Sequence, residues 1–154
     1  MSAPLEFRVE ADIGRSADAV WSVVSDYRLD PQWRRGVESM DPDPPAPVMA
    51  GTTTREVLRL AGRTFRSDGI VESVGPGRLF TWRTVSGATA SGTRSVEVLD
   101  DGRCRVVLEL RVTPKRSERL MVPVLRRMLA KNLRGDVERL ARRMDELTAA
   151  SAAR

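Results

Sequence analysis

SERLMVPVLRRMLAKNLRGDVERLARRMDEL, residues 117–147, is the stretch with the longest helical period in the chain. Apolar residues recur in it at spacings of three and four, which is the pattern of an amphipathic helix with one continuous apolar face. These residues are Leu120, Met121, Val124, Leu125, Met128, Leu129, Leu133, Val137, Leu140, Met144 and Leu147. Pro123 either kinks the first part of the helix or marks its true start after an irregular segment, because proline lacks a backbone donor. No other predicted element is long enough to cross a whole sheet.

Five strand-like runs precede this helix at regular intervals. They are residues 52–60, 63–74, 78–85, 93–99 and 103–113. The segments between them are rich in glycine, proline and aspartate, and the short ones predict turns between antiparallel neighbours. In the last run, apolar residues at the even positions from Cys104 to Val112 alternate with mostly charged residues. One face of the sheet is therefore predicted to be exposed to water.

The first part of the chain predicts a strand and two short helices. Residues 5–13, LEFRVEADI, alternate between apolar and charged, and Ser16 is a suitable N-cap for the helix that follows. In the segment RLDPQWRRG, Pro31 suits a helix start and Gly36 a helix end. Residues 41–50, DPDPPAPVMA, hold four of the nine prolines and predict a loop, which is either a gate over a pocket or a plain surface connection.

Length and composition predict one domain over residues 1–154, with an ordered core from 4 to 148 and a frayed tail from 149 to 154. Cys104 is the single cysteine and there is no histidine, so zinc, haem and dithiol chemistry are not expected, and no cofactor is predicted. The start of the chain has no signal-peptide pattern and no apolar run is long enough to span a bilayer. We therefore expect a cytoplasmic protein without stable membrane insertion.

The net charge of +5 is spread along the chain, with arginines interleaved with acids. This arrangement does not predict a nucleic-acid partner, because such surfaces concentrate their charge in one stripe or arm. The densest basic cluster is Arg126, Arg127, Lys131 and Arg134, for which we expect the solvated face of a helix. A monomer and a weak homodimer both fit the sequence.

Three segments resemble a known superfamily. IGRSADAVWSVVSDYRLDPQW at 13–33, IVESVGPGRLFTW at 70–82 and LRRMLAKNLRGDVERLARRMDEL at 125–147 are similar to segments of START domains, Bet v 1 allergens and bacterial polyketide cyclases. The likeness to this SRPBCC group covers nearly the whole chain. It implies an α+β helix-grip fold, with a curved antiparallel sheet of six or seven strands, two short helices and a long C-terminal helix enclosing an apolar cavity.

Strand alternation and the register of that superfamily together predict which residues face the cavity. The candidate ligand-binding residues are Tyr27, Trp33, Glu56, Leu58, Phe65, Ser67, Phe80, Trp82, Arg94, Val96, Val106, Leu108, Leu110, Met121, Val124, Leu125 and Met128. Tyr27 and Trp33 are expected near the mouth of the cavity, and the four residues from Met121 to Met128 form its roof. The strand aromatics fit core packing and ligand contact equally well, since such pockets are themselves mostly apolar.

Two charged residues share the parity of inward neighbours, namely Glu56 with Leu58, and Arg94 with Val96. An unpaired buried charge is costly. The two either pair across the cavity, anchor a polar group of a ligand, or are turned to solvent by a bulge or strand end. If the protein is an enzyme, Arg94, Glu56 and Tyr27 are its candidate catalytic residues.

Three functions follow from this interpretation. The first is the binding of an apolar or amphipathic small molecule, such as a lipid, a quinone or a polyketide-like chain, and the second is a cofactor-independent polyketide cyclase or aromatase. Aromatase/cyclases of the superfamily carry an arginine and a tyrosine where this chain has Val71 and Val37, which counts against aromatic cyclisation. The third is a protein-interaction role. A mostly apolar cavity would favour the binder, converging polar groups the cyclase, and a nearly absent cavity the interaction protein.

Overall fold

A computed structural model describes residues 3–154 and shows one seven-stranded antiparallel sheet with three α-helices. The strands are β1 Leu5–Ile13, β2 Val37–Asp43, β3 Thr53–Leu60, β4 Arg63–Val74, β5 Leu79–Ser86, β6 Thr89–Asp100 and β7 Arg103–Thr113. They are ordered β1-β7-β6-β5-β4-β3-β2 in the sheet. The helices are α1 Ala17–Val24, α2 Asp30–Trp33 and α3 Val122–Ala152, with 3-10 turns at Tyr27–Leu29 and Arg116–Met121. This arrangement confirms the predicted helix-grip fold.

Strand β2 corrects the prediction that residues 41–50 hold no regular structure. The strand continues through Pro42 to Asp43 and pairs only with β3, because it lies at the edge of the sheet. An edge strand tolerates a proline, since its missing N–H is not needed by a second neighbour. The proline-rich composition therefore hid the strand. The predicted loop is shorter than expected and begins after Asp43.

The long helix differs from its prediction at both ends. It begins at Val122 after a 3-10 turn, with Pro123 in its first turn, so the proline marks the helix start and does not kink it. The helix then continues to Ala152, past the end predicted near Leu147 and into the segment for which a frayed tail was predicted.

The main core lies between the second half of α3, the short helix α1 and one end of the sheet. Val137, Leu140 and Met144 of α3 are buried there against Val20 of α1 and Val106 of β7. In contrast, Met121 and Val124, at the start of α3, are 51% and 55% exposed. α3 packs chiefly against β1, with smaller contacts to β7 and α2. The inner face of the sheet, which is the face turned toward α3, is thus left open on the side of β3 to β5.

Candidate functional site

An arginine buried on the inner face is the centre of the site. Arg94 of β6 is 5% exposed and donates two hydrogen bonds to the Asp30 carboxylate, from Nη1 to Oδ1 at 2.9 Å and from Nη2 to Oδ2 at 2.6 Å. Nη1 also donates to the Val24 carbonyl at 3.1 Å, at the end of α1. A guanidinium and a carboxylate joined by two parallel bonds hold each other in a fixed geometry. Asp30, at the start of α2, is fully buried.

Aromatic rings surround the same guanidinium. Its central carbon lies 4.7 Å from the ring centre of Tyr27, 5.1 Å from that of Trp33 and 5.6 Å from that of Phe80. The negative faces of aromatic rings attract a cation, and more strongly where water is excluded. The alternation of β6 points Arg94 inward. There, one carboxylate and three aromatic rings compensate for the loss of water around its guanidinium.

A second arginine links three elements. Arg34, which follows α2, forms ion pairs with Asp30 at 3.0 Å, with Glu56 of β3 at 2.5 Å and with Asp136 of α3 at 4.0 Å. Burial opposes the charge of Arg34, but the nearby Glu56, Asp30 and Asp136 outweigh burial and raise its pKa. We call Asp30, Arg34, Glu56, Arg94 and Asp136 the charge cluster.

Asp136 joins the long helix to this cluster. The backbone N–H of Arg35 donates to its Oδ1 at 2.7 Å, and the carboxyl group is almost fully buried. Burial raises the pKa of Asp136 to about 6, although the Arg35 N–H and the charge of Arg34 both favour the ionised form. Desolvation is therefore the dominant effect at this carboxyl group.

An open groove begins beside the charge cluster, between the first half of α3 and the outer strands β2 and β3. Its volume is ≈ 560 Å³, and its lining includes Arg35, Val37, Leu60 and Met128. Gly36 shapes the base, with a φ of +82° and a carbonyl that accepts from the Arg59 N–H at 2.7 Å. A side chain at this glycine would overlap the Arg59 carbonyl group. A second section with a smaller volume of ≈ 350 Å³ adjoins the first along α3, where Pro123 and Val124 line it; we call the larger one the wide section and the smaller one the narrow section.

Glu56 and Arg94 both point into the molecule, but they do not pair with each other. Arg94 pairs with Asp30, and Glu56 pairs with Arg34, with 15% of the Glu56 side chain exposed. The predicted alternative in which Glu56 and Arg94 pair directly across a cavity is wrong. The two are connected only through Asp30 and Arg34, whose ion pair lies between them.

The predicted position of Tyr27 and Trp33 at a cavity mouth is also wrong. Tyr27 is 4% exposed and Trp33 is fully buried, because the 3-10 turn and α2 press both rings against Arg94. Four other candidate residues lie in the packed core and contact no open space, since α1, the 3-10 turn after it and α3 cover their part of the sheet. They are Phe80, Val96, Val106 and Leu108.

The remaining candidates are at least partly exposed. Leu58, Ser67, Trp82, Leu110 and Leu125 are partly exposed. Phe65 is 43% exposed and Met121 51% exposed, while Val124 and Met128 line the groove. Their role as ligand contacts stays a prediction.

Asp30, Arg34 and Asp136 were missed as site residues, although each leaves a signal in the sequence. Asp30 and Arg34 are four residues apart around Pro31, which is the spacing of an ion pair on one helix face. Asp136 precedes Leu140 and Met144 by one and two such steps, so it occupies a position of the apolar stripe of α3. A carboxylate on a buried face predicts a buried partner.

The cluster holds its charges in internal pairs, which limits its chemistry. Burial raises the pKa of Tyr27 to about 12, so its hydroxyl group keeps its proton at neutral pH. At the two positions where aromatase/cyclases carry an arginine and a tyrosine, the buried Val71 and Val37 belong to an apolar cluster with Phe80. Only Arg34 and Glu56, with side chains 20% and 15% exposed, keep some access to solvent.

The fold and the groove define a helix-grip protein of the START and Bet v 1 superfamily. The sequence profile of the family described as polyketide cyclase / dehydrase and lipid transport matches residues 4–145. The chain belongs to this family. No curated protein matches the chain in sequence. Within residues 3–154, no helix is long and apolar enough to cross a membrane.

Solved structures show the same fold at low sequence identity. The Zhui aromatase/cyclase from Streptomyces sp. R1128 is 14% identical over 93% of this chain and 94% of that chain, with a TM-score of 0.79. A START superfamily protein from Mycobacterium smegmatis is 16% identical over 92% and 98%, with a TM-score of 0.74. Norcoclaurine synthase from Thalictrum flavum, in complex with dopamine and hydroxybenzaldehyde, is 16% identical over 94% and 88%, with a TM-score of 0.68. These likenesses establish the fold alone.

Proposed function

We propose that the protein binds an apolar or amphipathic small molecule between the first half of α3 and the inner face of the sheet. The observation that carries this proposal is the partial exposure of Leu58, Trp82 and Leu110. These side chains point toward a helix that does not cover them. Inward apolar groups in contact with solvent favour binding of an apolar molecule, because its binding removes that surface from water.

The sheet is locally shaped to keep this space open. Trp82, Gly92 and Leu110 are direct neighbours across β5, β6 and β7, so they share the inner face. A Cβ atom added at Gly92 would lie 2.8 Å from the Trp82 ring, which shows that the indole rests on the glycine. The missing side chain lets the largest ring of this face lie against the sheet and leaves room above it.

The proposed ligand is a lipid, a quinone or a polyketide-like chain, bound in the cytoplasm without a cofactor. The membership in a family described by both cyclase and lipid transport functions supports this class of ligand. The chain acts as a single domain in this proposal. The apolar residues at positions 37 and 71, where an aromatase/cyclase would carry polar groups, favour binding over aromatic cyclisation.

A cyclase-like reaction is the second candidate, and the partial exposure of Glu56 favours it. A carboxylate that reaches the space above the sheet can accept a proton from a folded polyketide chain, and holding that chain in a productive shape lowers the barrier further. Arg34 would orient the carboxylate through their ion pair. Loss of product formation in Glu56→Gln with retention of the bound chain would identify this activity.

Native mass spectrometry of the purified protein, followed by extraction of any copurified molecule, tests the binding proposal. Leu110→Trp adds a larger side chain above β7 and is expected to lower the apparent affinity for the ligand by about tenfold. Less ligand should then copurify with the protein, and added ligand should raise its Tm by less. Arg111→Trp is the matched control, because the neighbouring side chain points to the exposed outer face. An empty protein whose Tm no apolar ligand raises would overturn the proposal.

A further inference from the structure

Unneutralised cations surround the groove beside α3. Arg35, Arg59 and Lys131 line its wide section, and Arg127 with Lys131 lines the narrow one. None of these four side chains forms an ion pair with any residue of the described chain. Their charges therefore add to one positive potential at the rim.

Most of the net charge of the chain lies in the segment that contains the first half of α3. Residues 115–134 contain seven basic residues and one acid, Glu118, whose carboxylate already accepts from the Lys115 backbone N–H at 2.8 Å. In the rest of the chain the acids slightly outnumber the basic residues. The segment 115–134 includes the cluster from Arg126 to Arg134, for which a solvated helix face was predicted, and two of its members, Arg127 and Lys131, line the groove. Glu38 is the one acid among the residues that line this pocket, which include Arg35, Arg59 and Lys131.

Apolar surface continues from the cations into both sections of the groove. Leu60, Val37 and Met128 line the wide section, and Val124 with Pro123 lines the narrow one. Met128 and Lys131 belong to both sections, so the two adjoin at an apolar and a cationic residue. A molecule that fits this surface has an apolar chain and one anionic end.

We propose that the groove binds a single-chain anionic amphiphile, with its carboxylate or phosphate head held by Arg59, Lys131, Arg35 and Arg127 and its apolar chain along Leu60, Met128 and Val124. This inference rests on the proposed function and narrows its ligand class. Cations that lack a protein partner bind such a head without first breaking an existing pair. Because they are exposed, their contribution falls as the salt concentration rises.

Binding of three probes with the same chain tests the inference: dodecyl phosphate, dodecanoate and dodecanol, titrated by calorimetry at about pH 8, where the first two are ionised. We expect both anions to bind at least about tenfold more tightly than the alcohol at low salt, since hydrogen bonds to charged groups contribute that much. Arg59→Gln combined with Lys131→Gln is expected to remove most of the preference for the anions over dodecanol, because two of the four cations are lost. Arg139→Gln combined with Arg142→Gln, on the exposed second half of α3, is the control and keeps the preference.

The outcomes separate this inference from the proposed function. Equal binding of the three probes overturns the inference and leaves the proposed function standing. Binding of none overturns the inference, and the proposed function is then decided by native mass spectrometry of the purified protein. In a third outcome the protein shows no preference among the soluble probes and sediments with vesicles of phosphatidylcholine and phosphatidylglycerol, but not with vesicles of phosphatidylcholine alone. That result means that the cations contact a bilayer surface, and it also overturns the inference.

Discussion

Arg94 differs from the exposed arginines of the chain in the partners of its guanidinium group. Its guanidinium shares two hydrogen bonds with a fully buried carboxylate and lies near three aromatic rings. Removing one partner of a buried ion pair leaves the other charge without water and without compensation. The cluster is therefore sensitive to single changes.

Arg94→Met is expected to lower the free energy of unfolding by about 3–5 kcal/mol, because it leaves Asp30 with Arg34 as its remaining cation. The double variant Arg94→Met with Asp30→Leu is expected to recover part of that loss, since it removes both charges of the pair while Arg34 keeps Glu56 and Asp136 as partners. Urea unfolding measures both values. Arg105→Met, which breaks the exposed pair with Asp12, is the control and should cost less than about 1 kcal/mol. A double variant no more stable than the single one would contradict this account.

Asp136 is expected to make stability depend on pH between about 6 and 4. Its pKa is about 6 in the folded protein and 3.8 for an ordinary aspartate, so the folded state binds the proton more tightly. The contribution of Asp136 to the free energy of unfolding therefore rises as pH falls through 6 and levels off below 3.8. Asp136→Asn keeps an acceptor for the Arg35 N–H and removes this dependence.

The measurement is the difference in free energy of unfolding between wild type and Asp136→Asn across that pH range. The difference cancels the contributions of the exposed aspartates, whose pKa values are lowered by arginine partners, as at Asp12 and Asp100. The advantage of the asparagine variant should be largest above pH 6 and shrink toward pH 4. A constant difference would mean that the Asp136 carboxyl group titrates normally.

The limits of sequence reasoning at this scale are visible in the charge cluster. Alternation along β6 is a local property, and it correctly turns Arg94 inward. Its partner Asp30 lies 64 positions away along the chain, so only the packing of α2 on the sheet brings the two together. Glu56 was correctly turned inward for the same local reason, and its partner Arg34 was missed for the same long-range one.

At the scale of elements, periodicity predicts the buried face correctly where one face of a strand or helix packs on the core and the other meets water. The second half of the apolar stripe of α3 and the alternation of β1 and β7 match buried faces in the structure. Composition failed at β2, where Pro42 lies in an edge strand. The basic cluster from Arg126 to Arg134 is exposed, as predicted for a solvated helix face. Composition could not show that Lys131 lines the groove together with Leu60 and Met128, because that position depends on tertiary packing.

The two halves of α3 belong to different environments. Val137, Leu140 and Met144 are buried in the main core. Leu120, in the 3-10 turn before the helix, is 95% exposed, and Val124 in its first turn is 55% exposed. The second half of this apolar stripe therefore fixes the helix to the sheet, while its first half is largely exposed to solvent.

The whole molecule is well packed at one end and open at the other. The well-packed end contains α1, the second half of α3 and the charge cluster, whose ion pairs through Arg34 and Arg94 connect α2, β3, β6 and α3. The open end contains the groove and the exposed start of α3. Regions with few buried contacts open more often than the core does, and ligand-binding segments belong to them.

Hydrogen exchange should reveal this division directly. We expect the amides of residues 136–144 to exchange slowly, near the rate set by global unfolding, and those of residues 122–131 to exchange faster by at least about tenfold, because the first half of α3 lacks buried contacts. A bound amphiphile should slow exchange in residues 122–131 and leave 136–144 nearly unchanged, since a ligand stabilises the segment that it contacts. Uniform exchange along α3, or ligand protection confined to its second half, would place the binding site elsewhere in the protein.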